Sequence, residues 1–218
     1  MAEKYDLLVF DWDGTLLDST ATIVIAFQSA CRDLGLAEPT FEHARQAIGL
    51  GLTEALRHSV PDLSDDCLPQ MIERYRYHYL SRDHELRLFG GVPELISELN
   101  SSGFLLAIAT GKSRLGLNRA LANSDLGAFF SATRCADECF SKPHPQMLEE
   151  LMDEFSVVPE RTLMIGDTTH DLQMAINAGV DSLAVAYGAH SAAVLDSLGP
   201  LARLHSIGEL AAWLRTYA

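Results

Sequence analysis

Short, continuously apolar runs punctuate the chain. They read "YDLLVF" (5–10), "FLLAIA" (104–109), "TLMIG" (162–166) and "SLAVAY" (182–187), with "FFSATRC" (129–135) as a candidate fifth. None alternates apolar with polar. Continuous runs of this length suit strands covered on both faces. Between the later runs the period changes to that of a helix. "GVPELISELNSSG" puts Val92, Leu95, Ile96 and Leu99 on one face and stops at Gly103. "SRLGLNRALANSD", "HPQMLEELMDEF" and "HDLQMAINAG" follow in the same manner. Strand–helix alternation predicts an α/β fold, a doubly wound, Rossmann-like parallel sheet with right-handed crossovers.

The first crossover departs from this rhythm. More than 90 residues separate the first two runs. They carry amphipathic patterns such as "ATIVIAFQSACRDLG" and "DDCLPQMIERYRYHYLSR" but no comparable strand. We therefore expect residues 15–86 to form an inserted α-helical cap subdomain, and residues 1–14 with 87–218 to form the core. Tyr75, Tyr77, His78 and Tyr79 cluster on one of its helices, where a buried face is the expectation.

Three of the apolar runs end in polar groups. The first ends in Asp11-Trp12-Asp13-Gly14-Thr15, the second in Thr110-Gly111-Lys112, and the third in Gly166-Asp167 with Asp171 beyond. In an open α/β sheet the ligand crevice lies beyond the carboxyl ends of the strands, so these groups can converge. Lys142, in "SKPHP", adds an ammonium. Carboxylates held together resist joint ionisation. A hard divalent cation resolves that conflict, and Mg2+ also shares itself with substrate phosphate. Asp18 is expected to be a turn or helix-cap residue rather than part of this set, and Lys112 a solvated or outlying residue.

Charge and composition narrow the partners. The 218 residues carry a net charge of −14 and are 48% hydrophobic. That balance excludes the basic footprint nucleic acid requires. It tolerates an anionic substrate only where a metal or lysine reverses the local sign. No apolar run approaches the roughly 20 residues of a membrane helix, and "MAEKYD" lacks the apolar region of a secretory signal. The expectation is a cytoplasmic protein, monomer or weak homodimer, with no membrane partner. Cys31, Cys67, Cys135 and Cys139 include no CxxC pair and read as reduced thiols rather than a zinc cluster.

Together "FDWDGTLLDS" (10–19), "IATGKS" (108–113), "SKPHP" (141–145) and "IGDTTHD" (165–171) resemble the four motifs of the haloacid dehalogenase-like hydrolases. More narrowly, the chain is similar to the phosphoglycolate-phosphatase-like group with a helical cap. The resemblance implies a Mg2+-dependent phosphatase of small organic phosphomonoesters. It implies that Asp11 is the nucleophile, forming an aspartyl-phosphate, and that Asp13 is the general acid and base. Asp11, Asp167 and the backbone carbonyl of Asp13 would hold the metal. Asp171 would hold metal-bound waters or orient Lys142. Thr110, Lys142 and the backbone amides of Trp12, Asp13 and Gly111 would bind the phosphoryl group.

The same resemblance offers a sugar-phosphate mutase as the alternative. The presence of Asp13 separates the chain from dehalogenases and transport ATPases of that superfamily. The stretch "AIGLGLTEAL" (47–56) is similar to the cap's substrate-facing loop, with Gly49, Leu50, Gly51 and Leu52 at its centre. It contains no Lys, Arg or His, so neither a Schiff-base lysine nor a mutase's cationic reader lies within it. Arg45, Arg57 and His58 flank it, and Arg45 is the candidate partner for a second acidic group on the substrate.

Overall fold

The computed structural model describes residues 4–218; Met1 to Glu3, at the start of the expected core, lie outside the described residues. Six strands form one parallel sheet: β1 (Leu7–Phe10), β4 (Leu105–Thr110), β5 (Ala132–Cys135), β6 (Thr162–Gly166), β7 (Asp181–Val185) and β8 (Ala202–Leu204). Their spatial order is β5-β4-β1-β6-β7-β8, so β1 lies inside and the order reverses beside it. The predicted fold class holds, and all five apolar runs are strands. The short β8 adds a sixth that its three residues did not announce.

Alternate residues of each strand serve two apolar layers. Leu8, Phe10, Leu106, Ile108, Leu163 and Ile165 face one side. There they meet α5 (Val92–Ser101), α6 (Arg114–Ser124) and α10 (Ile207–Tyr217). Leu7, Val9, Ala107, Ala109 and Met164 face the other, against α7 (Gln146–Phe155) and α8 (Thr169–Ala178). This two-sided burial explains why the runs do not alternate. Each fully buried Leu or Ile contributes about 1.5–3 kcal/mol over an exposed one. The short α9 (Ala192–Asp196) closes the end of the sheet near β7 and β8.

Between β1 and β4 the chain builds α1 (Thr20–Asp33), α2 (Phe41–Arg45), α3 (Leu52–Ser59) and α4 (Leu68–Ser81). They share a separate apolar cluster containing Val24, Phe27, Leu56 and Met71. The chain leaves and re-enters the sheet through a two-stranded antiparallel ribbon, β2 (Leu17–Asp18) and β3 (Arg87–Leu88). Asp18 is exposed in that ribbon and stands opposite Arg87. It is neither a turn former nor a cap, contrary to the expectation from its spacing. Ser19 precedes α1 instead, yet its hydroxyl serves another group, described below. Leu52 also departs from its expected place, since it opens α3 rather than extending the loop.

Candidate active site

The carboxyl ends of the inner strands bring the predicted residues together. Asp11 follows β1 and is buried. Its Oδ1 accepts from Lys142 Nζ at 2.7 Å, while its Oδ2 is buried without a hydrogen-bond partner. Lys142 arrives from the connection after β5 and is fully buried. It also donates to Asp171 Oδ1 at 2.6 Å.

Asp171 owes its orientation to the start of α8. Thr168 and Asp171 form a capping box: Thr168 Oγ1 accepts from the Asp171 amide at 3.3 Å, and Asp171 Oδ2 accepts from the Thr168 amide at 3.0 Å. One carboxylate oxygen therefore ends the helix and the other faces Lys142. Asp167 is held just as firmly. Its Oδ1 accepts from Thr15 Oγ1 at 2.9 Å and its Oδ2 from the Ala189 amide at 2.6 Å.

The oxygens of Asp11, Asp167 and Asp171 lie within 4.8 Å of one another. Against three buried carboxylates the structure sets one buried ammonium. Burial, then the neighbouring carboxylate charge of Asp171 and Asp13, outweigh Lys142 and push the Asp11 carboxyl up to about 7. Burial, followed by Asp11 and Asp171, drives Asp167 well above the ordinary carboxyl range. For Lys142, burial disfavours the charge, but Asp11 and Asp171 reverse that and the ammonium is held. Hard oxygen donors and surplus negative charge, three buried carboxylates against one ammonium, fit a divalent cation. The carboxylate of Asp13 is not part of this cluster.

Asp13 turns the other way. Ser19 Oγ donates to its Oδ1 at 2.7 Å, and Lys112 Nζ contacts Oδ1 and Oδ2 at 3.0 and 2.9 Å. Lys112 also reaches Tyr79 OH on α4 at 2.9 Å. Burial opposes its charge, yet Asp13 and Tyr79 raise its pKa. Lys112 is thus a partly buried ion-pair partner, not a solvated residue as its sequence position suggested. Trp12 packs edge-on against Phe130 in the core.

Asp11, Asp13, Thr110, Gly111 and Lys112 line a cavity of about 980 Å³. Residues 47–54 roof it, so Gly49, Leu50, Gly51 and Leu52 all reach its wall. At Gly111 a Cβ would overlap the carbonyl oxygens of Gly49 and Leu50. The close approach of strand end and roof loop therefore requires glycine. Gly111→Ala is expected to push the loop away, costing about 1–3 kcal/mol and lowering turnover. A thermal melt and a rate assay with parental values would rule the contact out.

The basic residues flanking the loop are occupied elsewhere. Arg45 donates to the carbonyls of Ala189 and Gly188. Arg57 pairs with Asp65 at 2.7 Å, and His58 stacks on His43. None of the three lines the cavity. Arg45 clamps α2 to the sheet domain instead of reading a substrate acid. Arg76 on α4 and Arg119 on α6 line the cavity in their place. Cys135 and Cys139 are free thiols pushed up to about 12 and 11 by burial.

The haloacid dehalogenase-like hydrolase family model matches residues 8–185, spanning β1 through β7 and every strand end just described. The chain belongs to the haloacid dehalogenase-like hydrolases. Among relatives of this family member, a probable phosphatase, IndB, of Dickeya dadantii is 32% identical over 94% of this chain and 91% of its own length. A phosphoglycolate phosphatase of Vibrio vulnificus is 32% identical over 85% of this chain and 86% of its own. A Haemophilus somnus structure described as a predicted phosphoglycolate phosphatase superposes with a TM-score of 0.88 at 22% identity, covering 97% and 99% of the two chains, and supports the fold.

Several contributors to this hydrolase's site escaped residue-type reasoning. Thr15 stood inside a quoted motif but had no assigned partner. Ser19, which ends the first quoted motif without an assigned role, and Tyr79, outside the motifs, contact the Asp13–Lys112 pair. The Ala189 amide holds Asp167 through its backbone, and a backbone donor leaves no mark in residue type.

Proposed function

We propose that this hydrolase is a Mg2+-dependent phosphatase that cleaves small organic phosphomonoesters through an aspartyl-phosphate on Asp11. One observation carries the reading. Asp11 sits on the cavity wall with one oxygen tied to Lys142 and the other buried without a partner. A carboxylate oriented by one oxygen presents the second to an electrophile. The phosphatase names of the relatives agree with it.

In this reading an Asp11 oxygen attacks phosphorus as the bond to the leaving oxygen breaks. Asp13 gives that oxygen its proton, then takes one from the water that attacks the aspartyl-phosphate. Hydrolysis releases phosphate and restores Asp11. Thr110 and the amides of Trp12, Asp13 and Gly111 hold the phosphoryl oxygens, and Lys142 offsets charge on Asp11 and the transferring group. Asp11, Asp167 and the Asp13 carbonyl would hold Mg2+, with Asp171 supporting it through water or through Lys142. When bound, the ion supplies the positive charge that lets these carboxylates remain ionised together and draws charge from the phosphoryl group. The α1–α4 unit acts as a cap, closing residues 47–54 over the crevice and excluding water that would compete for the phosphoryl group.

Phosphate release from phenyl phosphate tests this reading. With Mg2+ the protein is expected to turn over. A chelator is expected to reduce release to background, and readdition of Mg2+ to restore it. Mg2+ is also expected to raise the melting temperature, because it binds the folded carboxylate cluster alone. Turnover that survives complete metal removal overturns the metal assignment.

A further inference from the structure

The cavity is much larger than the phosphoryl site needs. It holds about 980 Å³, near the upper end of pockets built for drug-sized ligands. A two-carbon phosphate ester occupies a volume on the order of five waters, at roughly 30 Å³ each. Most of the space therefore lies beyond the scissile bond, and its lining sets apolar and aromatic side chains beside the charged Arg76 and Arg119.

Two helices supply those walls in register. On α4, Ile72, Tyr75, Tyr79 and Leu80 line the cavity at helical spacing. On α6, Leu115 lines it from the other domain. Leu80 and Leu115 are 43% and 73% exposed, so their side chains are open to a ligand in the cavity. Phe27 of α1 continues the wall. Its ring lies 4.8 Å from that of Tyr75, which stacks 5.9 Å from Tyr79. Tyr79 OH then meets Lys112, which meets Asp13. An aromatic ladder thus runs from deep in the α1–α4 unit to the residue beside the leaving oxygen.

We propose that this cavity selects phosphomonoesters whose leaving group carries a bulky, planar apolar body, seated between the Phe27–Tyr75–Tyr79 ladder and Leu115. The inference rests on the phosphatase reading above and deepens it by naming the substrate class. Flat rings pack on such a ladder with favourable edge and face geometry. A two-carbon acid such as phosphoglycolate fills little of the space and meets few of these walls.

The test matches leaving groups so that only bulk differs. Naphthylethyl phosphate and ethyl phosphate release similar alkoxides, and phosphoglycolate joins them as the small acid. With Mg2+ the naphthylethyl ester is expected to show kcat/KM at least tenfold above both, about 1.4 kcal/mol of discrimination. Leu115→Glu, an exposed position, is expected to shrink that ratio several-fold. Equal or inverted ratios overturn the inference. Calorimetry with the matching non-hydrolysable phosphonates separates the two readings. Preferential binding of the naphthyl compound without any phosphate release sinks the hydrolysis reading and leaves the cavity preference standing. Equal binding of the two phosphonates sinks the preference whatever the rates.

Discussion

Asp11→Asn is expected to lower phosphate release by about 10³-fold or more, some 4 kcal/mol of barrier. An amide cannot form the acyl phosphate that divides the displacement into two steps. The same variant is expected to fold at least as well as the parent in metal-free buffer. Asp11 is buried, and burial together with the nearby carboxylates already disfavours its charge. Replacing it with a neutral group of the same shape removes that conflict, while Lys142 keeps its contact with Asp171. Parallel rate and melting measurements therefore separate chemistry from folding. Residual turnover within tenfold of the parent would remove Asp11 from the nucleophile's role.

Lys142→Met has the opposite signature. It keeps the length of the side chain and removes the buried ammonium that touches both Asp11 and Asp171. Breaking a buried ion pair by deleting one partner costs about 3–5 kcal/mol, because the remaining charge is left uncompensated. For a protein of this size that corresponds to a melting temperature lower by roughly 10 °C. Activity falls as well, since the ammonium that offsets charge on the attacking carboxylate is gone. Mg2+ is expected to recover part of the lost stability, because it supplies positive charge to the same carboxylates. A metal-free variant as stable as the parent would show that Lys142 does not balance the cluster.

Much of the site was legible because the strand ends are legible. A continuous apolar run that stops at a carboxylate or hydroxyl marks where the backbone leaves the sheet. All parallel strands leave on the same side. Asp11, Asp13, Thr110 and Asp167 could be placed together on that argument. Asp171 was legible in two ways, as a helix-start residue and as a site residue, and its two oxygens serve both. The basic residues were harder. Arg45 stands nearest the roof loop in sequence but clamps α2 to the segment after β7. Lys112 resembled a surface lysine because its partners lie 99 and 33 positions away.

The chain by itself determined the sheet, the two-sided burial of its strands, the helical unit between the first two apolar runs and the convergence of acidic strand ends. These follow from periodicity and chain direction, which are local properties. Only the tertiary structure decided which charge meets which: Lys142 with Asp11 and Asp171, Lys112 with Asp13, Thr15 and the Ala189 amide with Asp167. It also decided that α4 faces α6 across a wide cavity. Long side chains can reach many partners from one backbone position, and burial selects the pairing that leaves least charge uncompensated.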